Sequence, residues 1–221
     1  AIGDIKEVHT WTPSHEAWFE DGVRTPKGED PVPENLDWNL WLGPAPEAPY
    51  HVERCFHRWR YILDYSNGQT ANFGAHTNDI AQWGNGTERT GPVEVEGRGE
   101  FPRDGLWNVL LNMEIQYKYA NGVRLIYNIS HPHVRFEGTE GWIDVTRGKI
   151  QAEPESILTS KIGPDEIHLY NSNDHKQNFL DCIKSRKYTI CTAEIGHRSS
   201  TVCHLGNIAM ILGRKLKWDP K

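Results

Sequence analysis

"MEIQYKYANGVRLIYNIS", residues 113–130, decides the fold class. Met113, Ile115, Tyr117 and Tyr119 alternate with Glu114, Gln116 and Lys118, a period of two that suits a strand with one buried face. Asn121-Gly122 interrupts the alternation. Both residue types accept positive φ, so the pair is a strong signal for a tight turn joining two antiparallel strands. The run from Val123 to Ile129 is then the return strand.

Working outward, "VEVEGRGEF" (93–101) alternates on one side of the hairpin. On the other, "VRFEGTEGWIDVTRGKIQAE" (134–153) supplies two or three short strands separated by "GTEG" and "RGK" turns. "IKEVHTWT" (5–12) is a further alternating run near the start of the chain. Between it and the sheet lies a Pro-, Gly- and Trp-rich segment from Pro13 to about Tyr50, read as an ordered insertion that extends to about residue 58. Trp38, Trp41 and Leu42 should pin it to the body, since apolar surface costs roughly 25 cal/mol per Å² to leave in water. "YSNGQT" (65–70) is a turn, and Asn72 to Trp83 reads as one helix stopped by "GNG" (84–86). Two helices close the chain, "HKQNFLDCIKSR" (175–186), with Phe179, Cys182 and Ile183 on a shared face, and "EIGHRSSTVCHLGNIAMILG" (194–213). Strands in the middle and helices late, with no repeat and no internal boundary, imply a single α+β domain over residues 1–221.

Composition narrows the function classes. The 221 residues carry a formal charge of −6, which argues against a partner with a phosphate backbone such as nucleic acid. No apolar run reaches the length of a membrane span. The four cysteines, Cys55, Cys182, Cys191 and Cys203, form no CxxC pair, so reduced thiols are expected rather than a zinc knuckle or a disulfide framework. "HPH" (131–133) has no third ligand at useful spacing, and no metal site is expected there. Ser199 and Ser200 near His197 lack a nucleophile elbow, which sets aside a hydrolase triad. "NGT" and "NIS" fit the glycosylation pattern, in a setting that nothing else in the chain supports.

The chemistry-bearing candidates cluster in "NFGAHTND" (72–79). On a continuous helix Asn72, His76 and Asp79 fall at i, i+4 and i+7 and share one stripe. A histidine, which titrates near neutral pH, suits a general acid/base. Asparagine cannot accept a proton but can hydrogen-bond a hydroxyl or orient a ring. Asp79 either lends charge to His76 or positions the helix. Just upstream, Trp59 and Arg60 either stack on and clamp a sugar or pack the insertion.

Several segments together carry a family resemblance: "IGDIKEVHTWT", "PKGEDPVPENLDWNLWLGPAPEAPYH", "NFGAHTNDIAQW", "VRFEGTEGWIDV", "NFLDCIKSR" and "EIGHRSSTVCHLGNIAMILGRKLKWDP". The chain resembles the C-terminal domain of Gfo/Idh/MocA oxidoreductases, in the branch abundant in planctomycetes, over essentially its whole length. The resemblance implies an open, largely antiparallel sheet with helices on one face, similar to the C-terminal domain of glyceraldehyde-3-phosphate dehydrogenase, and oligomer contacts through the other face. It implies catalytic roles for His76 and, at the place of the family's aspartate, Asn72; Trp59, Arg60 and Asp79 are the candidates for substrate binding. The substrate it implies is a carbohydrate or cyclitol, and the assembly a homodimer or tetramer.

The family's N-terminal NAD(P)-binding domain has no counterpart in these residues. "GNGTERTG" and "GRGEFPRDG" have the wrong spacing for a dinucleotide fingerprint, and the family's glutamate-lysine-proline lysine is missing too. NAD(P) is therefore expected in a full-length protein and not on this chain alone, which reads as cut at the domain junction. The alternative is a non-catalytic carbohydrate-binding or assembly module. Bacterial cytoplasm and periplasm both remain open, because relatives of this branch often carry an export signal.

Overall fold

The computed structural model describes residues 2–14, 29–102 and 105–221. Among them are eight strands: β1 (Ile5–Thr12), β2 (Glu94–Glu100), β3 (Asn112–Lys118), β4 (Arg124–Ile129), β5 (Val134–Gly138), β6 (Trp142–Thr146), β7 (Lys149–Glu153) and β8 (Leu216–Lys217). They form one sheet in the order β7-β6-β5-β1-β4-β3-β2-β8. The β3–β4 hairpin pairs antiparallel, with Tyr117 opposite Leu125 and Ile115 opposite Tyr127. Every other neighbouring pair is antiparallel except one: β1 inserts between β4 and β5 and runs parallel to β4, Val8 opposite Leu125 and Thr10 opposite Tyr127. Parallel neighbours need a long crossover. Here that crossover is everything from Pro13 to Val123, a pairing that alternation within either strand does not announce.

Five α-helices are present among the described residues, and the third and fifth cover one face of the sheet. In chain order they are α1 (Trp38–Leu42), α2 (Gln69–Asn72), α3 (Gly74–Gly84), α4 (His175–Ser185) and α5 (Ala193–Leu212). The core lies between α3, α5 and the inward residues of the central strands: Val8, Val95, Ile115, Tyr117, Leu125, Tyr127, Val134 and Phe136 against Ala81, Val202, Leu205 and Ala209. Two glycines set the depth of the helices. A Cβ at Gly206 on α5 would stand 2.3 Å from the Tyr117 hydroxyl and 2.8 Å from Ile115 Cδ1. One at Gly74, where α3 begins, would stand 2.5 Å from the Tyr127 hydroxyl and 2.9 Å from Cys203 Sγ. Both tyrosine hydroxyls are satisfied by helix carbonyls, Tyr117 donating to Val202 at 2.9 Å and Tyr127 to Thr70 at 2.9 Å. Burial pushes the pKa of both phenols up, so they remain neutral donors.

The insertion has a short helix where a loop was expected. Asp37 caps α1 by accepting from the Leu40 N–H, and Gly43 at φ +53° ends it. Trp38 stacks on Trp41 with ring centroids 4.8 Å apart and donates from Nε1 to the Ala48 carbonyl at 2.8 Å. Trp41 meets Tyr65 edge-on at 5.2 Å, and Leu42 is buried, so the tryptophans do tie this segment to the body. Residues 15–28 of the insertion lie outside the described residues. A second buried cluster, Tyr61, Ile62, Leu106, Trp107 and Val109, holds the chain just downstream.

One sequence expectation needs correction. The helix expected from Asn72 to Trp83 is two helices: α2 ends at Asn72, and Phe73 both closes it and precedes α3. The amide of His76 returns to the Phe73 carbonyl three residues back at 2.9 Å, a tight first turn. Gly74 is the physical reason, since it is a poor helix former placed where only a residue without a side chain fits. α4 stands where the sequence places it. Asp174 caps it by accepting from the Gln177 N–H, and Arg186, left-handed at φ +58°, ends it. Of its apolar face, however, only Cys182 is buried; Phe179 and Ile183 are 56% and 47% exposed.

Candidate active site on helix α3

The inner side of α3 is locked by polar contacts. Thr10 Oγ1 on β1 donates to Asn78 Oδ1 at 2.8 Å, and Asn78 Nδ2 approaches Cys203 Sγ on α5 at 3.4 Å. Ser199 Oγ on α5 donates to Asp79 Oδ1 at 2.6 Å. Thr12 Oγ1, at the end of β1, donates to the Gln69 carbonyl at 3.0 Å and fixes α2. These threonines and Asn78 are buried, where an unpaired polar group is costly, so each bond specifies one seating of the helix. Cys203 belongs to this seam: burial pushes its thiol up to about 11, and it acts as a packing group rather than a nucleophile.

The outer side is open. His76 is exposed, with the Phe73 ring edge-on at 5.9 Å between centroids. Phe73 is contacted in turn by Arg147, whose guanidinium carbon lies 5.8 Å from the ring centroid. Asn72 is also exposed, but its amide turns back along its own helix and donates to Gln69 Oε1 at 2.9 Å. Asn72 ends α2, whereas His76 and Asp79 lie three residues apart on α3. Asp79 faces α5, where Ser199 holds it.

Trp59 and Arg60 occupy a 3-10 turn, Arg58–Tyr61. The Trp59 ring is 40% exposed. Arg60 Nε donates to the His57 carbonyl at 2.8 Å, and its Nη2 lies 3.2 Å from His57 Nδ1. Beside it Arg58 is committed to structure, paired with Glu53 and standing over the Trp107 ring at 5.2 Å. Sequence reading missed Phe73 and Arg147. Nothing local marks them, since Arg147 sits in a turn more than seventy residues downstream of Phe73, the ring it meets.

Other candidates resolve into structural roles. Among the described residues, no group of three or more His, Cys, Asp or Glu is placed to hold a metal ion. His133 stacks on Trp11 at 3.7 Å between centroids, its Nδ1 lies 2.6 Å from the His131 carbonyl, and its Nε2 is 3.7 Å from Asp144. No helix of the described residues is long and apolar enough to cross a membrane. A concavity of about 790 Å³ lies on the uncovered sheet face, away from His76, and is lined by Trp11, Arg98, Asn112, Glu114 and Asn128 among others.

An eight-stranded open sheet, backed by α3 and α5 and presenting a histidine on the free side of α3, defines an oxidoreductase C-terminal domain architecture. The chain belongs to the Gfo/Idh/MocA oxidoreductase family, whose C-terminal alpha/beta domain model matches residues 15–221. Among solved structures it is similar in fold to the aldose-aldose oxidoreductase of Caulobacter crescentus, complexed with glycerol, at 15% identity and a TM-score of 0.60. That match covers 98% of this chain and 56% of the other. The WlbA dehydrogenase of Bordetella pertussis, in complex with NADH and UDP-GlcNAcA, matches at 12% identity and a TM-score of 0.60, covering 100% of this chain and 57% of the other. An oxidoreductase from Agrobacterium radiobacter, in complex with NAD+, L-tartaric acid and magnesium, matches at 15% identity and a TM-score of 0.53, covering 98% and 58%. The chain thus spans somewhat more than half the length of these structures. No curated protein matches its sequence.

Proposed function

We propose that this chain is the substrate-binding and oligomer-forming half of an NAD(P)-dependent oxidoreductase acting on a sugar or cyclitol, with His76 exchanging the proton of the reacting hydroxyl. The observation that carries the reading is the contrast across α3: one side is held by Thr10 through Asn78, while the other offers an open imidazole, with Asp79 tied to Ser199 at its flank. A general acid/base needs both a fixed position and access to substrate. Family membership and the polyol, sugar-nucleotide and hydroxy-acid ligands of the similar structures support the substrate class.

Each residue then has a distinct task. His76 takes or returns the hydroxyl proton. Asn72, which has no proton to exchange, hydrogen-bonds a neighbouring hydroxyl by releasing Gln69. Trp59 offers a ring face for stacking, and Arg60 remains a second-rank clamp because His57 occupies two of its donors. Asp79 positions α3 rather than touching substrate.

The dinucleotide does not fit the described residues. Asn85-Gly86 closes α3, and Gly97 and Gly99 lie inside β2, so no glycine turn leads from a strand into a helix N-terminus to cradle a pyrophosphate. We read hydride chemistry as supplied from outside these residues, and residues 1–221 alone should give no turnover with any sugar and NAD(P). In the longer enzyme, His76→Ala should lower turnover by roughly 10² to 10⁴. A rate within about twofold of the parent would remove His76 from the chemistry.

The engaged amide of Asn72 favours a second reading, a carbohydrate-binding or assembly module without catalysis. Asn72→Asp separates the two: it should preserve or raise turnover in an enzyme and change nothing in a module. Assembly is proposed through the uncovered sheet face, whose charges make it sensitive to salt. Sedimentation at micromolar concentration showing only a 25.3 kDa species would remove that part of the reading.

A further inference from the structure

The β6–β7 turn places a cation over Phe73, the ring that meets the candidate base. Along β6, Trp142 and Asp144 stand on the uncovered face, where Arg135 stacks on the Trp142 ring at 4.1 Å. Ile143 and Val145 point the other way, opposite Phe136 and Val134 of the core. By the two-residue period of a strand, Arg147 continues on the covered side. Thr146 pairs with Lys149, and Gly148 at φ +84° allows the tight turn that ends β6 at this point. The result is a guanidinium at 5.8 Å over Phe73, whose ring is edge-on to His76.

Three arginines stand over an aromatic ring, Arg58, Arg135 and Arg147, and Arg147 alone of these three has no carboxylate partner among the described residues. Arg58, Arg98, Arg124, Arg135 and Arg198 each meet a carboxylate. Among the described residues, Arg147 meets none, although it is exposed and the chain carries a net charge of −6. Ring stacking uses one face of the guanidinium and leaves its edge donors free, which is the arrangement suited to a bidentate oxyanion. In a chain whose overall field repels anions, a local unpaired cation is what such a ligand requires.

We propose that Arg147 is the anion-binding residue of the His76 site, so that the substrate is an acidic sugar or cyclitol carrying a carboxylate or phosphate. Phe73 supports the guanidinium and spaces it from the imidazole. The proposal rests on the assignment of the site to His76.

Binding to the 221-residue chain tests it without requiring turnover. The His76 ring resonances, identified by their loss in His76→Ala, are followed by NMR during titration with D-glucuronate, D-glucose 1-phosphate and, as the neutral control, D-glucose. One or both anions should shift them and glucose should not; preference for glucuronate or for the phosphate ester identifies the anionic group. Arg147→Gln should weaken the anion about tenfold or more, with Arg147→Lys intermediate because the fork is lost. Arg124→Gln, a like charge on the opposite face, should leave binding unchanged. The turn is exposed, and unchanged circular dichroism will confirm that each variant is folded. Equal binding by Arg147→Gln, equal response to glucose, or no response to any probe overturns the proposal. Failure of the His76 assignment is a separate result, read from turnover of His76→Ala: an anion held by Arg147 with that rate intact would leave the subsite and remove the base.

Discussion

Ile115 and Glu114 are neighbours on β3 and live in different worlds. Ile115 is fully buried beneath α5, within a layer where Gly206 admits the helix and Tyr117 donates to its backbone. Glu114 points to the uncovered face, where Arg98 meets it at 2.7 Å and Gln116, Lys118 and Arg124 stand nearby in the sheet. The apolar half of the alternation is entirely consumed by the helices. What remains on the uncovered face is a charged lattice, with the Trp11–His133 stack among its flat elements. The difference teaches that the covered face holds the fold by packing, whereas the uncovered face is free to be specified by pairing of charges, which gives selectivity more than strength.

That contrast can be broken from the inside outward. Ile115→Ala should cause the largest loss, about 2 to 5 kcal/mol by denaturant titration, because a buried β-strand side chain leaves a cavity under α5 that a packed interface cannot close. A cost near zero would mean that α5 is not seated as described. Gly206→Ala should cost about 1 to 3 kcal/mol, since its new methyl must displace the Tyr117 hydroxyl or the Ile115 side chain. In the same assay an unchanged midpoint would show that α5 can lift off the sheet without penalty. Glu114→Gln should lower the midpoint only slightly at neutral pH, because the Arg98 pair is largely exposed.

The sign of its small pH effect follows from Arg98. The Arg98 hydrogen bond, together with its charge, holds the Glu114 carboxyl below the usual range. A carboxylate with a depressed folded pKa adds stability above its unfolded pKa, about 4.3, and loses that contribution as pH falls through the lower folded value. Parent and Glu114→Gln should therefore converge on acidification, and divergence would contradict the pairing.

Most elements were legible in the chain because their cause is local. β1 is observed over the same Ile5–Thr12 run that alternates, and the Asn121-Gly122 turn joins β3 to β4 as its residues require. Both terminal helices stand where capping and periodicity place them. The candidate site was legible only in part. His76 could be picked out as a titratable group on a helix, but the break at Phe73 depends on Tyr127 and Cys203 crowding Gly74, partners more than fifty and more than one hundred residues away.

By itself, then, the sequence determined the strands, the hairpin, the helical ends and the family, because periodicity, turn chemistry and capping act over a few residues. Only the tertiary structure decided that β1 enters parallel to β4, that α2 and α3 are separate, that α4 leaves Phe179 and Ile183 in solvent, and that Arg147 meets Phe73. Each of these depends on which surfaces meet after the chain has closed long loops, and no short-range pattern encodes that choice.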